Sequence, residues 1–417
     1  MLLNASNAVE QVYREEWGRI VSVLIGMFRD FDLAEECAQE AFAAATEQWP
    51  VTGVPENARA WVIQTARNKA IDRLRRASVY REKLDLYVAS GFLPTTTEPD
   101  YNIGEIPDER LRLIFTCCHP ALAVEAQVAL TLRSLCGLET DEIARAFLLP
   151  PSTLAQRIVR AKRKIRDAGI PYAVPDVKDV SERLEAVLTV VYLVFNEGYA
   201  ATKGDSLVRH HLCAEAIRLG RLLVQLLKPE AAAGANALLA LMLLHDARRA
   251  ARLDGEGELV TLEEQDRSRW NHAQIAEALP LADHALRHSR DAFALQAGIA
   301  AVHCRATQPE ETDWAEIVKL YGELERLQTS PIVSLNMAVA VAMAEGPRRG
   351  LEMIDAVARE PELEEYHLLH AARADLLRRL GLHADAAVAY GRALQLVTNA
   401  SEKRYLERRL SDALSSS

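Results

Sequence analysis

PSTLAQRIVRAKRKIR, residues Pro151 to Arg166, holds six Arg and Lys from Arg157 onward and no acid. Leu154, Ile158, Ala161 and Ile165 recur at the spacing of one helix face, while Arg157, Arg160 and Lys164 share another. Just upstream, Thr140–Phe147 (TDEIARAF) reads as a short helix, with Thr140 as its cap and acids in its first turn, where they suit the helix dipole. Leu148–Pro151 makes a turn, and Ser152 is the expected cap of the second helix. Two helices joined this tightly form a helix-turn-helix, whose second helix offers its N-terminal half to a major groove. A run of charge alone favours a solvated face on a helical bundle; the capped helix, tight turn and capped helix shift the reading to DNA.

The charge is unusual for its surroundings. The 417-residue chain has a formal net charge of −10. Residues 1–170 carry 21 basic and 23 acidic side chains, and 11 of those basic residues fall within Arg67–Arg76 and Arg157–Arg166. The acidic excess lies mostly downstream. Local patches, rather than the total, decide nucleic-acid binding. Cysteines at 37, 117, 118, 136, 213 and 304 form no CxxC pair and no disulfide-like framework, which fits a reducing compartment. The opening MLLNASNAVEQ lacks the pattern of a signal peptide, and no apolar run reaches the length of a membrane span. A cytoplasmic protein without membrane contact is expected.

Length favours two or three domains. Ala and Leu are abundant, period-2 alternation is missing, and Leu184, Val187, Leu188, Val191, Tyr192 and Phe195 recur at helical spacing, so the fold class is all-α. Residues 89–107 (ASGFLPTTTEPDYNIGEIP) have the composition of a linker, and Gly169–Pro175 (GIPYAVP) closes the basic helix. The division expected is 1–88, linker 89–107, 108–170 and 176–417. Leu253–Leu259 (LDGEGEL) reads as a loop. Near the end, Gly381, Ala386, Tyr390 and Ala393 stand as in a tetratricopeptide helix pair, and Gly346 lies 35 residues before Gly381. Leu351 and Asp355 break that pattern, so helical hairpins are expected rather than a regular array.

The second basic patch, ARAWVIQTARNKAIDRLRR (Ala58–Arg76), reads as one helix with Trp61, Ala66, Ala70 and Leu74 facing a core. Arg67, Lys69, Arg73, Arg75 and Arg76 suit phosphates, and Asn68 suits a base edge. A Pro/Gly loop, Pro50–Asn57, precedes it. In DLAEECAQEAF (Asp32–Phe42), Asp32, Glu36, Gln39 and Glu40 share one face and Ala38, Phe42, Ala45 and Trp49 another. An acidic stripe would repel DNA, so it suits a basic protein partner.

In this order, these segments resemble the extracytoplasmic-function sigma factors, promoter-recognition subunits of bacterial RNA polymerase. The resemblance implies a helical sigma domain 2 and a helix-turn-helix sigma domain 4, with core RNA polymerase (β′ clamp helices, β flap) and promoter DNA as partners. It assigns Asp32, Glu35, Glu36, Gln39 and Glu40 to clamp docking. Asn68, Lys69, Asp72, Arg73, Arg75 and Arg76 would read and melt the −10 element; Ser152, Thr153, Gln156, Arg157, Arg160 and Lys162 would read the −35 element. Ala155 departs from the Lys of many relatives, and Gly53-Val54-Pro55 departs from the usual melting loop. The chain also resembles a subgroup with a long helical, tetratricopeptide-like C-terminal extension, through FTCCHPAL (Phe115–Leu122), VYLVFNEGYAAT (Val191–Thr202), the Leu238–Trp270 segment, TDW (Thr312–Trp314) and SPIVSLNMAVAVAMAEGP (Ser330–Pro347). That implies a superhelical, regulatory extension.

Other residues are weighed on their chemistry. Cys117, Cys118 and His119 are soft ligands in series, but adjacent helical residues diverge by about 100°, so small buried residues are expected and no metal. Asn196, Glu197 and Tyr199 end an apolar helix and suit either a small-ligand site or a helix terminus. Gln265, Asp266, Arg267, Arg269 and Trp270 suit a regulatory ligand or peptide contact, with a buried salt-bridge network as the plainer alternative. His245 beside Asp246, and His210 beside His211, lack any accompanying nucleophile or phosphate loop, so no catalysis and no cofactor are expected. A helical scaffold or a ligand-sensing DNA-binding regulator independent of polymerase is the alternative reading.

Overall fold

The Ala- and Leu-rich segments fold as their periodicity requires. The computed structural model describes residues 2–76, 109–147, 149–175, 177–199, 206–228 and 232–415. Among these are 18 α-helices, and the extended structure is an isolated bridge between Leu253 and Leu259. No helix among the described residues is long and apolar enough to cross a membrane. The chain divides into two compact units, Met1–Val194 and Phe195–Ser417. The expected linker 89–107 lies outside the described residues.

The first unit begins with α1 (Leu2–Phe28), α2 (Phe31–Thr52) and α3 (Ala58–Arg76). Trp17, Ile20, Val21 and Leu24 of α1 are buried, with Ala38, Phe42, Ala45 and Trp49 of α2 and Val62, Ile63, Ala66 and Ala70 of α3. Trp61 and Leu74 are only half-buried. Tyr13 packs against Trp17 and Phe42 at ring distances of 4.8 and 5.1 Å, and Trp49 meets Trp61 edge-on at 5.5 Å. Asp30 caps α2, its carboxylate accepting from the Asp32 and Leu33 amides at 3.0 Å. The expected loop from Pro50 starts later: α2 continues through Pro50 to Thr52, and the Gly53 amide closes it on the Trp49 carbonyl at 3.0 Å. A proline in the last turns forgoes a single helical bond, and the buried Trp49 holds that turn in place.

Next come α4 (Arg110–Cys117), α5 (Val124–Ser134), α6 (Thr140–Ala146) and α7 (Pro151–Asp167). The pair α6–α7 is the expected helix-turn-helix, with Leu154, Ile158, Ala161 and Ile165 buried. Its caps differ from expectation. Thr140 is the first residue of α6, and Glu142 accepts from the Glu139 amide at 2.7 Å. Helix α7 starts at Pro151, whose fixed φ suits the first helical position, so Ser152 lies inside the first turn.

The Gly169–Pro175 segment does more than end α7. Tyr172 is buried, and its hydroxyl donates to the Ser22 carbonyl of α1 at 2.7 Å, while Arg29 donates to the Tyr172 carbonyl at 3.1 Å. The α1 helix also meets the turn after α5. Tyr13 donates to the Gly137 carbonyl at 3.1 Å, and a Cβ on Gly18 would fall 2.4 Å from the Leu135 carbonyl oxygen. Helices α1–α3 and α4–α7 thus share one compact unit, with no room for a side chain at position 18.

Helix α8 (Val177–Tyr199) contains the boundary between the units. Beyond it lie α9 (Ser206–Leu226), α10 (Ala233–Ala247), α11 (His272–His288), α12 (Ala292–Arg305), α13 (Trp314–Leu327), α14 (Pro331–Glu345), α15 (Pro347–Val357), α16 (His367–Arg379), α17 (His383–Leu396) and α18 (Ala400–Ser415). Each packs on the next, giving helical hairpins in series. Gly346 and Gly381, the expected repeat glycines, both take positive φ (108° and 75°) where one helix ends before another begins. The LDGEGEL segment is a tight hairpin, with Asp254 accepting from the Glu256 and Glu258 amides at 2.9 and 2.8 Å. Arginines pin it and its continuation to the last helices. Arg404 donates to the Gly257 carbonyl at 2.6 Å, Arg408 and Arg409 pair with Glu258 and Glu264 at 2.9 and 2.5 Å, and Arg379 pairs with Glu263 at 2.7 Å.

Tyr390 is fully buried among Ala374, Leu377, Ala386 and Leu406. Tyr390→Ala should destabilise this end of the extension by about 3 kcal/mol through the cavity it leaves. Urea unfolding measures the loss, and hydrogen exchange should place it in α16–α18.

Candidate nucleic-acid interface

The two basic helices present their polar residues differently. On α7, Ser152, Thr153, Gln156 and Arg160 are exposed and Arg157 is half-buried. Arg163 and Arg166 lie 3.8 and 3.3 Å from Asp167. On α3, Asn68, Asp72 and Arg75 are exposed, and the Asn68 carbonyl accepts from Gln64 at 3.2 Å. The Arg76 side chain lies outside the described residues. Lys69 and Arg73 turn toward α2: Lys69 lies 3.5 Å from Glu40, and Arg73 pairs with both Glu36 and Glu40. Those two hydrogen bonds push the Arg73 guanidinium above its ordinary range. Residues assigned by resemblance to separate roles, polymerase docking and −10 reading, therefore form one cluster. Gln39 is half-buried beside it.

Lys162 departs most from a freely exposed reader. Its ammonium lies 2.9 Å from Asp32 Oδ1 and 2.9 Å from Glu35 Oε2, with its side chain only 10% exposed. Burial works against its charge, but Glu35 and Asp32 outweigh that and raise its pKa. Glu35 is itself buried and also accepts from Ser134 Oγ at 2.7 Å, with Arg133 Nε at 3.8 Å. A side chain of the helix-turn-helix thus reaches the acidic helix.

The polar residues of the second unit cluster where helices end. The Arg252 guanidinium lies 4.1 Å above the Tyr199 ring and donates to the Tyr199 carbonyl at 3.0 Å. Tyr199 also stacks on Phe195 and meets His245 edge-on. Arg267 is buried, 4.9 Å over Trp270, and donates to the His303 and Ala306 carbonyls at 2.9 and 2.6 Å and to Thr312 Oγ1 at 3.2 Å. No carboxylate among the described residues lies within ion-pair distance of Arg248, Arg252 or Arg267. The salt-bridge network weighed for Gln265–Trp270 is therefore replaced by arginines on helix C-terminal carbonyls, where the dipole supplies the negative charge. Asp266 is exposed and caps the turn Arg267–Arg269, accepting from the Ser268 amide and hydroxyl at 2.9 and 2.6 Å; these bonds lower its pKa. Asn196 and Glu197 are half-buried near the end of α8.

Asp246 does not pair with His245. It binds Arg249 and accepts from Gln274 at 2.9 Å, while His245 Nδ1 lies 3.1 Å from Arg248. The side chains of His210 and His211 lie outside the described residues. Cys117 and Cys118 are buried; burial pushes the Cys118 thiol up to about 12, and its sulfur sits 3.6 Å from Thr131 Oγ1. Arg248, Arg252 and His303 were not singled out by sequence. The density of arginines in Arg248–Arg252, directly after an apolar helix, was their available signal.

Residues 12–79 match the family described as Sigma-70 region 2, residues 112–165 that described as Sigma-70, region 4, and residues 183–286 a family of unknown function (DUF6596). An uncharacterized protein of Rhizobium meliloti (strain 1021) is 44% identical over 393 residues, covering 94% of this chain and 92% of that one. With its helical helix-turn-helix unit, the chain belongs to the extracytoplasmic-function type of sigma-70 factors and carries a helical C-terminal extension. Its role is that of a sigma factor, one of a family of transcription initiation factors that act with core RNA polymerase and promoter DNA.

The buried histidines make the extension acid-sensitive. Burial, then Arg248 and Arg267, push His303 from its ordinary 6.5 down to about 3. Burial, then Arg248, Arg252 and His303, hold His245 well below its ordinary value. The unfolded chain therefore takes up protons near pH 6.5 that the folded unit refuses. For His303 this contribution is complete above that pH and is lost as pH falls toward 3, at about 1.4 kcal/mol per pH unit; for His245 the sign is the same. In denaturation series from pH 7 to pH 5, His303→Gln should reduce the pH slope by about one proton.

Proposed function

We propose that this sigma factor docks core polymerase through the α2 face bearing Asp32, Glu35, Glu36, Gln39 and Glu40, on the β′ clamp helices. Sigma domain 4 then meets the β flap. The observation carrying the proposal is the division of labour on α7: Leu154, Ile158, Ala161 and Ile165 are buried, while Ser152, Thr153, Gln156 and Arg160 remain exposed toward a major groove. With Arg157 and Lys162, these read the −35 element. Asn68, Lys69, Asp72, Arg73, Arg75 and Arg76 act at the −10 element, where Asn68, Asp72 and Arg75 are exposed. The protein works in the cytoplasm, where its polymerase partner acts.

The extension regulates initiation. Asn196, Glu197 and Tyr199 at the end of α8, and Asp266, Arg267 and Trp270 near the arginine cluster, are the positions through which a small ligand or peptide acts. Of these, Asp266 is solvent-exposed and Arg267 and Trp270 are buried, so ligand contact falls on Asp266 and the others support its turn.

Reconstituted transcription tests this reading. Reversing Asp32, Glu36 and Glu40 to Lys should abolish association with core polymerase while circular dichroism stays helical; unchanged association would overturn the docking face. Arg160→Ala should weaken −35 binding and flatten its log–log salt dependence by about one unit, as expected when one phosphate contact is lost. Ending the chain after Pro175 should change transcript yield at least severalfold; equal activity would make the extension a passenger.

A further inference from the structure

We infer that sigma domain 4 latches over the polymerase-docking face of sigma domain 2 in the free chain, and that core polymerase must displace Lys162 to bind. The inference rests on the docking reading above and adds what covers that face. Glu35 has its carboxylate filled from one side: Lys162 Nζ at 2.9 Å, Ser134 Oγ at 2.7 Å and Arg133 Nε at 3.8 Å all come from sigma domain 4. Its side chain is 7% exposed. No basic group of another protein can reach that oxygen pair while these three stay in place. Asp32 is exposed, but Lys162 already neutralises it at 2.9 Å.

The latch is a built contact with several independent members. Helix α1 brings Gly18 against the Leu135 carbonyl, so closely that a Cβ there would lie 2.4 Å from the oxygen. Tyr13 bonds the Gly137 carbonyl at 3.1 Å, and Tyr172 bonds Ser22 at 2.7 Å. These contacts join the same two sets of helices as the ion pair, whose Lys162 and Glu35 side chains are only 10% and 7% exposed. Separation exposes Glu35 and Lys162 together, so neither charge is left buried alone, whereas removing only one partner in the closed state strands the other. Such an element has two arrangements, and polymerase selects the open one by its differential affinity. Apparent affinity for core then scales with the open fraction.

Zero-length carbodiimide coupling of the full chain, followed by peptide mass spectrometry, tests the contact. The free chain should yield an amide between Lys162 and Glu35 or Asp32, and saturating core polymerase should reduce it severalfold. Gly18→Ala forces the seam apart without touching a docking or DNA-facing residue. It should lower coupling in the free chain and tighten core binding on the order of tenfold. Lys162→Met should tighten it similarly in a DNA-free binding assay. Coupling that persists in the polymerase complex, or core affinity unchanged in both variants, overturns the latch and leaves the docking face standing. Undiminished core binding by the Asp32, Glu36 and Glu40 reversal overturns the docking face and the latch with it.

Discussion

A carboxylate that cannot reach water must be paired, and Glu35 is such a carboxylate. It sits on α2 one residue before Glu36, yet the helix rotation points it inward while Glu36 faces out. Its partners come from more than 90 residues downstream: Ser134 ends α5 and Lys162 lies in the middle of α7. The helix-turn-helix is therefore oriented against the first three helices by a charge requirement as well as by apolar packing. Gly18 against the Leu135 carbonyl and Tyr172 against the Ser22 carbonyl bring the same elements together.

A second constraint governs the extension. Buried arginines ordinarily need carboxylates, but here buried Arg248 and Arg267 and half-buried Arg252 sit at helix C-termini instead. Arg267 serves the end of α12, Arg252 serves the end of α8, and Arg248 is the capping residue of α10. Unpaired carbonyls and the helix dipole give the Arg252 and Arg267 guanidiniums their counter-charge, while that of Arg248 lies 3.1 Å from His245 Nδ1. Burial, reinforced by this cationic charge, holds His245 and His303 neutral. One cluster therefore both ties arginines to the ends of α8 and α12 and adds to the burial that keeps the unit's histidines uncharged. By contrast, the Leu253–Glu264 hairpin is held through ordinary surface ion pairs to α16 and α18, a network whose strength lies in number.

Acidic and basic helices near the N-terminus illustrate how local pattern and tertiary context divide the work. The stripe on α2 and the basic face on α3 were both legible, because helical periodicity sorts side chains by face. Their engagement with each other was not: Arg73 meeting Glu36 and Glu40 depends on how two helices cross, and spacing along either helix is silent on that. The same holds for Lys162, one of six similar charges in a row. Only the position of α2 distinguishes it from its neighbours.

Sequence alone determined the all-α class, the helix-turn-helix with its buried Leu154, Ile158, Ala161 and Ile165, the core face of α2 and the glycine-ended hairpins of the extension. Each depends on interactions within a few turns of chain, so period and turn chemistry suffice. Tertiary structure alone decided that Tyr172 anchors to α1, that Lys162 faces Glu35, that Asp246 serves Arg249 rather than His245, and that Arg267 binds carbonyls. Apart from Asp246 and Arg249, which are three residues apart and where Arg249 competes with a neighbouring histidine, those outcomes join residues far apart in sequence. There the choice of partner is set by burial: a charge removed from water takes whichever complementary group the packing brings to it.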